Sequence, residues 1–158
     1  MKRFIPLVLS LFVAFIFVQS TFFKFSGAEE TIIIFNTIAD WMISVGLSPF
    51  SAGVFGEFGA YGVGVVELIA SALILIPATR KLGASISLVV ISGAIFFHLF
   101  TPLGIDRVVD QAGNTDGGAL FFTAVAVWFS SVAVIAMSRY RTRSSANADS
   151  AGADLALA

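Results

Sequence analysis

Residues 60–77 read AYGVGVVELIASALILIP, and this stretch decides the class of fold. Crossing ~30 Å of hydrocarbon takes ~20 predominantly apolar residues, so the stretch spans a bilayer as one helix interrupted by a single charge, Glu67. Residues 4–23, 82–100 and 118–138 have the same apolar character, which predicts an all-α integral membrane four-helix bundle. Composition agrees: 58% of the 158 residues are hydrophobic and 12% charged, far too apolar for a water-soluble domain of this size. The first stretch begins Lys2-Arg3 as a secretory leader does, but it lacks a small-x-small cleavage pattern and is expected to be a retained helix.

Orientation follows from the basic residues, which stay on the cytoplasmic side of a membrane. Lys2, Arg3, Arg80, Lys81, Arg139, Arg141 and Arg143 all fall on one side of a four-span arrangement. The other side carries Lys24 and Arg107 among Glu29, Glu30, Asp40, Glu57, Asp106, Asp110 and Asp116. Both termini and the loop at 79–81 are therefore expected in the cytoplasm, with Arg80, Lys81, Arg139, Arg141 and Arg143 as topology anchors on the lipid surface.

Between the first two spans, residues 29–45 place Ile34, Ile38, Trp41, Met42 and Val45 on one helical face, predicting a short amphipathic outer helix with Trp41 at headgroup depth. Gly46 is suited to end it, and Ser48-Pro49 to start the next helix. The second span thus begins before the hydrocarbon does, and Gly53, Gly56, Gly59, Gly62 and Gly64 make its outer half a place of close backbone approach. Residues 144–158, rich in Ala, Ser and Asp, are expected to form a disordered cytoplasmic tail following the single domain 1–143. Asp110, Asn114 and Asp116 lack the spacing and the closing Glu of a calcium loop, so no metal site is expected.

An acid at the depth of Glu67 is costly in hydrocarbon and faces a bundle interior or a cavity. Its helical neighbours Ala60, Gly64, Ala70 and Ser71 form a small-residue face, whereas Val65, Leu68, Leu73 and Ile76 point elsewhere. Gln19 and Lys24 on the first helix and His98 on the third lie at similar depth. Glu67, His98, Gln19 and Lys24 are therefore the candidate intramembrane ligand or proton site. The plainer alternative is a hydrogen-bonded latch between helices at Glu67, an interfacial His98 and a snorkelling Lys24. With no cysteine and one histidine, the chain by itself supplies no iron–sulfur cluster, thiolate metal site or bis-histidine haem ligation. No basic patch with interleaved aromatics points to nucleic acid.

Residues 20–25 with Lys24 closing the first helix, Gly46-Leu47 with Pro49, Glu67-Leu68, Thr79-Arg80, His98 and Ala119-Leu120 resemble, in order and spacing, the DoxX family of small bacterial four-helix membrane proteins. The resemblance runs over residues 4–137. It departs at Phe22-Phe23, where the family has a glycine before the lysine, and at Pro77, where a glycine is common. It implies a bacterial cytoplasmic membrane and a link to quinone-dependent oxidoreductases, the family being named for a membrane subunit of thiosulfate:quinone oxidoreduction. On that basis the chain is expected to be a non-autonomous oxidoreductase subunit, with a quinone in an apolar cleft and the electrons supplied by a partner redox subunit. The alternatives are a non-catalytic anchor or assembly factor for a partner enzyme and, more weakly, a small transporter. A homo-oligomer is also open.

Overall fold

The structure, a computed structural model, describes residues 4–156, with side chains described as far as Ser138. Five helices follow one another: α1 (Ile5–Phe25), α2 (Glu29–Ser44), α3 (Pro49–Leu75), α4 (Arg80–Phe100) and α5 (Ala119–Ala156). Four of them, α1, α3, α4 and the Ala119–Ser138 part of α5, are long and apolar enough to cross a membrane. Each packs on its neighbours in the cyclic order α1, α3, α4, α5 and back to α1, with α2 laid against α3. This is the four-helix membrane bundle that the hydropathy predicts.

Local chemistry sets the ends. Pro49 opens α3 at a position where its missing N–H costs nothing. Ile76, held extended by the following Pro77, closes it. Gly27 (φ 66°) and Gly46 (φ 90°) flank α2 in the left-handed conformation that ends a helix without a Cβ clash. Ala28 N–H donates to Phe23 O at 3.2 Å and Leu47 N–H to Met42 O at 2.9 Å, the six-to-one bond of a Schellman cap in both cases. α2 is thus a rigid rod between two glycine joints.

The core is made of small and medium side chains: Val13, Ala14 and Phe17 of α1, Ala70 and Ile74 of α3, Ala84 and Ile91 of α4, and Val127 and Val134 of α5. Membrane helices gain little from hiding apolar groups from lipid, so close backbone approach does the joining. Gly83 is the tightest place: a Cβ there would sit 2.7 Å from Ile74 Cα and Leu73 C. Buried serines interleave with these residues, and Ser10, Ser71 and Ser87 each donate to the carbonyl four residues back in their own helix, at 2.7, 2.8 and 2.9 Å. Large apolar side chains such as Phe15, Val89 and Phe122 point outward, which only a lipid surround explains in such number.

Arg80 also closes the end of α3. It is buried, and its guanidinium donates to Ile74 O (3.1 Å) and Leu75 O (3.3 Å), while Thr79 Oγ1 donates to Leu73 O (2.9 Å). Together they satisfy carbonyls that the end of α3 leaves without a helical partner. Hydrogen bonds from a charged donor are worth about 1.5–3 kcal/mol, so Arg80→Ala is expected to lower the melting temperature in detergent clearly, and Arg80→Lys to recover only part of it. Lys81→Ala, the neighbouring exposed residue, serves as the control that keeps the stability of the wild type.

The face that α2 buries against the bundle is Thr31, Phe35, Ile38 and Ala39; it shares Ile38 with the apolar face read from the sequence, of which Val45 is exposed. The reason lies in α3: Gly56 and Gly59 form a notch that receives Ala39 and Phe35, so shape rather than hydrophobicity alone selects the face. Trp41 is half-buried, with its ring edge-on to Phe96 and Phe97 at the end of α4. The backbone of α5 continues as helix through Ala156; its last part is alanine-rich, and alanine is the strongest intrinsic helix former. Arg139, Arg141 and Arg143 lie where side chains are not described, and Lys2 and Arg3 lie outside the described residues.

Candidate functional site

Helix α1 carries Ser20, Thr21 and Lys24 on one face, and α3 brings Glu67 against them. Lys24 Nζ donates to both carboxylate oxygens of Glu67, at 3.0 and 2.9 Å. Thr21 Oγ1 lies 3.3 Å from Oε2 and 3.2 Å from Gly64 O, and Ser20 Oγ lies 3.4 Å from Oε1. Lys24 also donates to Ser20 Oγ. Side-chain exposure is 12% for Lys24 and 6% for Glu67, so the pair is withdrawn from its surroundings on nearly all sides. The neighbours make this approach possible: Ala60, Gly64, Ala70 and Ser71 are the buried small residues around Glu67, and at Gly64 a Cβ would meet the Phe25 ring at 2.7 Å.

Lys24 also faces a groove between α2 and α3 of about 620 Å³. Ile32, Phe35 and Tyr61 give it apolar walls, Asn36, Asp40 and Glu57 a polar side, and Gly53 a floor of bare backbone. Tyr61 stacks at 5.8 Å on Phe25, the residue after the lysine. The site is thus an ammonium backed by a carboxylate at one end of an amphipathic slot.

Two members of the expected cluster stand elsewhere. Gln19 is exposed, because one residue's step before Ser20 turns its side chain by about 100° around the helix. His98 is buried, but its Nδ1–H donates to Gly104 O at 2.6 Å and its ring stands edge-on to Phe121 at 5.8 Å, so it fastens the α4–α5 loop. Matched depth brings these residues to one level but does not decide which neighbour each side chain meets. Ser20 and Thr21, which take their places, carry the signal of polar side chains one turn before Lys24.

A second polar centre, which no motif in the sequence marks, lies at the same end of the bundle. Arg107 of the α4–α5 loop is 2% exposed; its guanidinium pairs with Glu30 of α2 and approaches Asp116 at 3.5 Å, while Nε and Nη1 have no hydrogen-bond partner. Glu29 Oε1 accepts from Gln111 N–H at 2.9 Å, a second tie between α2 and this loop. Burial pushes the Asp116 carboxyl up, but the N–H groups of Leu120 and Gly118 and the Arg107 charge outweigh it and hold the group below the usual carboxylate range. A lone arginine in an acidic loop was the available sign. Asp110 is spent on Asn114, which donates from both its backbone N–H and its amide, and among the described residues no three His, Cys, Asp or Glu side chains converge as metal ligands.

No curated protein and no solved structure matches the chain. The family model that does match is DoxX, over residues 5–99, which takes in α1 to α4 with both halves of the Lys24–Glu67 pair. That match covers more than half of the sequence, and this four-helix membrane protein therefore belongs to the DoxX family.

Proposed function

We propose that the chain is the membrane subunit of a quinone-linked oxidoreductase complex, seated in a bacterial cytoplasmic membrane with both termini in the cytoplasm. The observation that carries this reading is the placement of the Lys24–Glu67 pair at the end of an amphipathic groove of about 620 Å³, within the size range of small-molecule pockets. A quinone head group needs flat apolar walls and a hydrogen-bond donor for a carbonyl oxygen. Ile32, Phe35 and Tyr61 supply the first, and the Lys24 ammonium, on turning one N–H away from Ser20 Oγ, the second. When bound, the quinone supplies two-electron redox chemistry coupled to proton uptake. Lys24 binds and polarises a carbonyl oxygen, and Glu67 fixes the ammonium at that spot. Asp40 and Glu57, both exposed at the groove, exchange protons with water. The electrons come from a partner redox subunit, because a chain without cysteine and with one histidine has no ligands for its own relay of metal centres.

The test is purification from native membranes in mild detergent, with mass spectrometry of the lipid extract and of co-purifying polypeptides. The wild type is expected to carry a quinone and a redox partner, and Glu67→Gln, still folded, to lose most of the quinone. Retention of quinone by the folded variant sinks the site. A wild-type chain that purifies with ordinary lipid alone favours the non-catalytic anchor, for which the Lys24–Glu67 pair is a latch between α1 and α3.

A further inference from the structure

α2 stands between the groove and the loop that joins α4 to α5. One of its faces lines the groove beside Lys24, through Thr31, Phe35, Asn36 and Ala39. Its first turn is tied to the loop by Glu30 to Arg107 and by Gln111 N–H to Glu29. Both of its ends are glycine joints in left-handed backbone, Gly27 and Gly46, and neither has an atom within 4 Å of where a Cβ would stand. The space beside both joints is open, and what holds each turn is its cap bond, Ala28 N–H to Phe23 O and Leu47 N–H to Met42 O.

We propose that α2 is a hinged lid over the Lys24–Glu67 pair, pivoting at Gly27 and Gly46 and held shut by Arg107 of the α4–α5 loop. The lid rests on the reading of Lys24–Glu67 as a ligand site. Its energetics follow from the surround: Phe35, Ile38 and Ala39 are buried against α3 by fit into its glycine notch, contacts that favour the shut state but that lipid chains partly replace. The polar latch is not so replaced, and it decides the balance between shut and open. That latch is also imperfect, since Arg107 Nη1 is buried without a hydrogen-bond partner and Nε has only the Asp116 carboxylate at 3.5 Å, and such donors favour release toward water. A shut lid narrows the way to Lys24; an open one admits a head group from the bilayer edge.

The chain has no cysteine and few lysines, which makes the lid measurable. Protein in nanodiscs is treated with a membrane-impermeant N-hydroxysulfosuccinimide ester, and modification of Lys24 is read by peptide mass spectrometry against exposed Lys81. Arg107→Gln is expected to raise Lys24 modification roughly tenfold, a modest shift of a two-state equilibrium. A disulfide between Glu29→Cys and Gln111→Cys in the same variant is expected to return it to the wild-type level. Unchanged modification in folded Arg107→Gln, or an increase that the cross-link does not reverse, overturns the lid. Should Arg107→Gln fail to fold, Glu30→Gln, whose side chain is 33% exposed in the wild type, releases the same latch and is read in the same way. No quinone enters this experiment, so the lid stands or falls apart from the quinone reading.

Discussion

Replacing Lys24 by methionine is expected to destabilise the bundle by about 3–5 kcal/mol, the cost of leaving a buried charge without its partner. Glu67 is left at 6% side-chain exposure with two hydroxyls, of Ser20 and Thr21, in place of a bidentate ammonium. The long stem of Lys24, by contrast, reaches the groove, so Glu67→Ala is expected to cost less: the freed ammonium finds water. The double variant Lys24→Met with Glu67→Leu is expected to recover most of the lost stability, because two apolar side chains of similar volume remove both charges together. Thermal unfolding in mild detergent, followed by tryptophan fluorescence, measures all three. A single Lys24→Met variant that melts with the wild type would mean that the pair is a spectator in the fold. A double variant that is stable yet binds no quinone would separate what the pair does for structure from what it does for a ligand.

Gly83→Ala is expected to be at least as damaging as any change in the polar centre, at about 3 kcal/mol or more, and Gly83→Val to prevent assembly. The atoms that the new Cβ would meet are backbone atoms of Leu73 and Ile74, the latter fully buried, so neither a rotamer change nor a small tilt makes room. Two other glycines of the same bundle act as internal standards. At Gly64 the obstacle is the Phe25 ring, a side chain that can swing, and Gly64→Ala is expected to be milder. At Gly53 nothing lies within 4 Å, and Gly53→Ala is expected to keep wild-type stability. Titration with a denaturing detergent against a mild one orders the three. If Gly83→Ala unfolds at the same point as Gly53→Ala, the close approach of α3 and α4 is not what joins them.

The sequence discloses those parts of this molecule that are periodic or local. Four apolar stretches make four spans, Gly46 and Ser48-Pro49 mark the turn between α2 and α3, and the small residues around Glu67 point it inward, because helical geometry alone relates these positions. Depth in the membrane is also readable by counting, which is how Lys24 and Glu67 are matched. Rotation about the helix axis is not fixed by depth, and Gln19 faces outward; His98 does face inward, but its Nδ1–H is taken by Gly104 O. Contacts set by shape are hidden as well: the face of α2 is chosen by a notch of two glycines on α3, which no hydrophobic pattern within α2 records. The Glu30–Arg107 pair joins positions 77 apart in sequence, and only the folded loop brings them together.

The buried serines have a wider consequence. Since each of Ser10, Ser71 and Ser87 bonds a carbonyl of its own helix, the middle of the bundle has no hydroxyl clasp that crosses from one helix to another at these positions. Sideways cohesion at those positions is a matter of matched contours; one hydrogen bond, from Trp128 Nε1–H to Ser92 Oγ at 3.1 Å, joins α5 to α4 at mid-span, and the charged fasteners sit toward the two rims, Arg80 at one and the Lys24 and Arg107 centres at the other. Such a barrel tolerates drift in the identity of its midplane residues while their volumes stay small. Its rims do not share that freedom, and the history of substitution in this protein should be written there.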